Sequence, residues 1–68
     1  MTLLTLYYDI SALQRFREDL GKIEQLKLIV PGLQIANIEL VQEKIKVVLA
    51  FDKKYQEVVF QVFGRGEL

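Results

Sequence analysis

Residues 45–51 read Ile-Lys-Val-Val-Leu-Ala-Phe, the densest run of strand-forming side chains in the chain. Alternation puts Ile45, Val47, Leu49 and Phe51 on one face and Lys46, Val48, Ala50 and Asp52 on the other. A strand with apolar residues on both faces belongs inside a sheet and calls for cover on each side. The rest of a short chain has to supply that cover.

At 68 residues the chain is one domain from end to end. A chain this size removes only about 60% of its unfolded surface from water. With no Cys and no His, disulfides and thiolate metal sites are excluded, and the side chain best suited to proton transfer near neutral pH is missing. No cofactor is expected. Among the usual supplements to a small core, oligomerisation is the main one left. Nine Lys plus Arg balance nine Asp plus Glu, so no long-range field favours nucleic acid or an acidic membrane. The opening Met1-Thr2-Leu3-Leu4-Thr5 lacks the positive flank and long apolar centre of a signal peptide, and no apolar run approaches spanning length. A cytoplasmic protein is the expectation.

Residues 2–8 form a first strand, with Leu4 and Leu6 on one face and Leu3, Thr5 and Tyr7 on the other. Large residues on both faces suit a strand inside a sheet and not at its edge. Asp9 follows as a cap for the helix or its approach turn. Ser11 and Gln14 fit a capping box, and Leu13, Phe16, Leu20, Ile23 and Leu26 recur at steps of three and four as one helical stripe. Arg15, Arg17, Glu18, Asp19, Lys22 and Glu24 take the solvated side, with Glu18 and Lys22 an i,i+4 pair. Gly21 in that pattern marks either a close neighbour or a weak point. Pro31-Gly32 ends the first half, and residues 27–30 fit either a last helical turn or an extended connection.

From Leu33 the period becomes two, but strict alternation puts Leu33 and Ile35 opposite Ile38 and Leu40. One extra residue near Ala36 and Asn37 returns all four to one face, which predicts a bulge there. A polar turn at Gln42, Glu43 and Lys44 leads into residues 45–51. Residues 53–63 admit two readings. As a strand, Val58, Phe60 and Val62 share a face; as a helix, Asp52 caps it and Tyr55, Val58, Val59, Val62 and Phe63 form the stripe. The β-branched and aromatic content of Val-Val-Phe-Gln-Val-Phe favours the strand.

The expected fold is therefore α+β: a strand, a helix and a three-stranded antiparallel meander, with one helix packed on a four-stranded sheet. The alternative is β-α-β-β-α with a C-terminal helix at 53–63, in which two helices cover three strands. The case for an oligomer is tied to the four-stranded version, whose single helix leaves an apolar reverse face of Val48, Ala50, Val58, Phe60 and Val62 uncovered. The first functional expectation is a small non-enzymatic interaction module, forming a homo-oligomer or binding a protein partner through that face or an exposed edge strand.

The second expectation is RNA. Lys46, Lys53, Lys54 and Arg65 with Tyr55 supply cations and a ring for stacking on single strands, although interleaved Glu43, Asp52, Glu57 and Glu67 favour the reading in which these lysines solubilise turns and protect strand edges. The segment Ile38-Glu39-Leu40, followed by Lys46-Val47-Val48-Leu49-Ala50-Phe51-Asp52 and Val58-Val59-Phe60, resembles the closing meander of RelE/HigB-type ribonuclease toxins over fewer than half of the residues. That resemblance implies RNA contact at Lys46, Lys53, Lys54, Tyr55 and Arg65. No glycine loop matches a nucleotide fingerprint, and Ser11 has no His to activate it.

Overall fold

The computed structural model describes residues 1–63. Strand β1 (Thr2–Asp9) leads through a 3-10 turn, Ile10–Ala12, into helix α1 (Leu13–Leu26). Strands β2 (Gln34–Val41) and β3 (Lys44–Phe51) form a hairpin, and a second 3-10 turn, Lys53–Tyr55, opens helix α2 (Gln56–Phe63). The sheet order is β1-β3-β2, antiparallel at both junctions. The chain is α+β, and residues 45–51 lie in the central strand.

The four-stranded sheet is replaced by three strands and two helices, because the segment read as a last strand is α2. Two contacts favour the helix over what propensity suggests. The Asp52 carboxylate accepts the Lys54 N–H at 3.0 Å and starts the turn. Phe60, outside the apolar stripe expected of such a helix, is half-buried with its ring edge-on to Phe51 at 6.4 Å. The buried stripe of α2 is Val59 and Phe63, whereas Val58 and Val62 are exposed.

Both helices pack on one face. The core joins Leu4, Leu6 and Tyr8 of β1 and Val47, Leu49 and Phe51 of β3 to Ile23 and Leu26 of α1 and Val59 and Phe63 of α2. Val30 and Leu33 close one end of it, where the Val30 N–H donates to Leu26 O at 2.8 Å and folds residues 27–30 into a hydrogen-bonded turn just past α1 in place of an extended connection. Pro31-Gly32 then redirects the chain, with Gly32 at φ +84 in the region glycine occupies most freely.

The bulge falls where the broken alternation puts it. The β2–β3 register shifts between Ile35 and Asn37, so Ile35, Ile38 and Leu40 lie opposite Leu49, Val47 and Ile45, all on the helix-bearing face. The β2–β3 connection is a two-residue loop, Gln42 and Glu43, both left-handed at φ 50 and 66, the geometry of a type I′ turn without its usual glycine.

Several local expectations are corrected. Ser11 forms no capping box; Ala12 is the N-cap of α1 without a side-chain bond, and Asp9 accepts the Ser11 N–H to cap the preceding 3-10 turn. Glu18 accepts from Gln14 instead of pairing with Lys22, which reaches Asp19 at 3.6 Å. Asp19 itself is buried, not solvated, and accepts a 2.6 Å hydrogen bond from the Tyr8 hydroxyl. Finally, β1 lies at an edge of the sheet and not inside it.

Candidate interaction surface

The β1 edge can be described atom by atom. The Ile10 N–H donates to Glu43 O at 3.3 Å, one step beyond the Asp9–Lys44 pair. In an antiparallel ladder, pairs that exchange both hydrogen bonds alternate with pairs that exchange none. Thr2, Leu4, Leu6 and Tyr8 are therefore the residues bonded to β3, while the N–H and C=O groups of Leu3, Thr5 and Tyr7 point away from it along the free edge. Their side chains stand on the reverse face, where Leu3 is 58% and Tyr7 53% exposed.

Edge strands are ordinarily defended by charge, proline or a bulge. Strand β2, the other edge, has such defences: a bulge at Ala36 and the Glu39 carboxylate. From Thr2 to Tyr8, β1 has no charge, no proline and no bulge. Its composition is that of an interior strand. No described element covers its outer side or the reverse face of the sheet beside it.

The five residues expected to form an apolar interface do not share a surface. Val48 and Ala50 are on the reverse face, and Val58, Phe60 and Val62 are on α2, packed against the opposite face. Ala50 is only 1% exposed although no helix covers it, because its single methyl in the central strand sits between Leu3 and Gln34 of the flanking strands. Leu3, Thr5 and Tyr7 supply more of the open surface than Val48 and Ala50 do, and the signal for them was the uncharged stretch from Thr2 to Tyr8.

The residues expected to touch RNA are also separated. Lys46 lies across from Tyr7 on one side and Glu39 on the other. Lys53 and Lys54 follow the opposite end of β3, roughly 17 Å along the strand at 3.4 Å per residue. The Lys54 ammonium stands over the half-buried Tyr55 ring, 5.3 Å from its centroid, so the ring already has a cation on its face. Arg65 lies outside the described residues. Val58, Val59 and Phe60, which the toxin resemblance puts in a strand, are helical.

Among the described residues, no group of three Asp or Glu side chains is placed to hold a metal. An open depression of about 380 Å³, lined by Met1, Pro31, Gly32, Phe51, Asp52 and Lys53, has its carboxylate committed to the cap of the α2 approach turn. No described helix is long and apolar enough to cross a membrane.

No family model, curated protein or solved structure matches this chain.

Proposed function

We propose that the protein is a small non-enzymatic interaction module of the cytoplasm that associates with itself through its sheet. The observation that carries this reading is β1: an eight-residue edge strand with the composition of an interior one, and with hydrogen-bonding groups open along its free side. An unpaired strand of that kind is a template for strand addition, in which backbone bonds give affinity and alternate side chains give specificity.

With α2 helical, the case for an oligomer that rests on a four-stranded sheet falls, since two helices cover the core face and Val58, Phe60 and Val62 do not lie on the reverse one. The support for association here comes instead from β1 and the surface beside it. A 7.9 kDa chain without disulfides has much to gain from enlarging its sheet. Sedimentation equilibrium from low to high micromolar protein is the test. A mass rising above 7.9 kDa with concentration supports the reading, and a single 7.9 kDa species throughout ends it.

A further inference from the structure

Resting on that reading, we infer that β1 pairs antiparallel with β1 of a second copy about a two-fold axis through Thr5, joining two three-stranded sheets into one of six strands. The order becomes β2-β3-β1-β1-β3-β2.

The parity of the free edge selects this register. Outward N–H and C=O groups belong to Leu3, Thr5 and Tyr7, as fixed by the Ile10–Glu43 bond. A two-fold at Thr5 sets Thr5 opposite Thr5, and Leu3 of each copy opposite Tyr7 of the other. All three positions then meet their own kind of group, and each pair exchanges both hydrogen bonds. A shift by one residue sets outward groups against inward ones and turns every side chain to the wrong face. Moving the axis one residue toward the C-terminus keeps the parity but brings Asp9 opposite Leu3.

The side chains agree with the backbone. On the reverse face, exposed Leu3 and Tyr7 become cross-strand neighbours, an aliphatic–aromatic pair made twice by symmetry. On the helix-bearing face Leu4 comes opposite Leu6, both already buried within each copy, so the new side-chain contact is made mainly on the reverse face. Because the axis is perpendicular to the sheet, both helix layers lie on the same side, and Val48, beside Thr5 on β3, joins a continuous reverse surface.

The other edge fits a second copy poorly. The β2 bulge interrupts its outward groups after Ile35, and an antiparallel pairing that matches Ile38 with Leu40 sets Glu39 against itself, a like-charge contact that opposes association. Of the two sheet edges among the described residues, β1 is the self-complementary one.

The test places charge on the axis. Thr5→Lys and Thr5→Glu each set two like charges face to face and should raise the dissociation constant roughly tenfold or more, whereas an equimolar mixture should associate as a heterodimer at least as well as the unsubstituted chain. Thr5→Pro is a second variant: it removes an outward N–H without breaking a bond to β3, and should stay folded by circular dichroism while losing self-association. If Thr5→Lys and Thr5→Glu self-associate as the unsubstituted chain does, or their mixture remains monomeric, the Thr5-centred pairing is overturned while self-association stands. If the unsubstituted chain is itself monomeric, both fall.

Discussion

The hydrogen bond between Tyr8 and Asp19 ties β1 to the middle of α1, and its removal gives a sharp test of how the helix is held. The Tyr8 hydroxyl donates to Asp19 Oδ2 at 2.6 Å, and Asp19 is 7% exposed. Tyr8→Phe deletes the donor and keeps the ring, including its edge contact with Phe16 at 5.4 Å. A hydrogen bond to a charged group contributes about 1.5–3 kcal/mol, and a buried acceptor left unmatched loses most of that. Lys22 offsets little of the loss, since its own side chain is 52% exposed and its nitrogen is 3.6 Å from the other carboxylate oxygen. The expected cost is therefore about 2 kcal/mol. Against a total stability of roughly 3–10 kcal/mol for a domain this size, that is a large share. With a urea m-value of about 1 kcal/mol/M, the unfolding midpoint should fall by roughly 2 M at fixed protein concentration. Tyr7→Phe is the control, because Tyr7 is on the open face, and it should change stability by less than about 0.5 kcal/mol. In an Asp19→Ala background Tyr8→Phe should cost much less than it does alone. A Tyr8→Phe cost under about 0.5 kcal/mol, or one that is the same with and without Asp19, refutes the reasoning.

Other outcomes follow from single positions. A Cβ on Gly21 would meet nothing within 4 Å, so Gly21→Ala should stabilise the domain by about 1 kcal/mol in urea or thermal unfolding. Glu43, at φ 66, bears left-handed strain that glycine does not, so Glu43→Gly should raise stability by about 1 kcal/mol and sharpen the type I′ hairpin. In α2, Val59 is fully buried and Val62 is 36% exposed. Val59→Ala should cost about 2 kcal/mol and Val62→Lys little; the reverse ranking in chemical denaturation would contradict the helical phase of this segment.

Much of the fold was legible because two periods conflict with the chemistry in informative ways. The reversal of apolar phase between Ile35 and Ile38 has one economical remedy, an extra residue, and the register shift is there. The core face of β3 and the capping role of Asp52 follow from alternation and from the preference of Asp for turns. The last segment departs from its local propensity for a physical reason: Val-Val-Phe-Gln-Val-Phe favours a strand, and what outweighs it is tertiary, the meeting of Phe60 with Phe51 from another element. For Asp19 the expectation of solvent follows from its place in a run of charges, where a carboxylate usually faces water. Its partner Tyr8 is eleven residues away in sequence, and no local pattern reveals the pair. The β1 discrepancy differs in kind. Its residues describe an interior strand and the isolated chain makes it an edge, and the proposed pairing satisfies both.

Amide hydrogen exchange along β1 tests association through the sheet edge most directly. In the isolated chain the N–H groups of Leu3, Thr5 and Tyr7 point to solvent, whereas those of Leu4, Leu6 and Tyr8 are bonded to β3. Edge pairing predicts that protection at Leu3, Thr5 and Tyr7 appears and grows as protein concentration rises from low to high micromolar, toward that of their neighbours. Fast exchange at these three amides at every concentration, with Leu4, Leu6 and Tyr8 protected throughout, would contradict it.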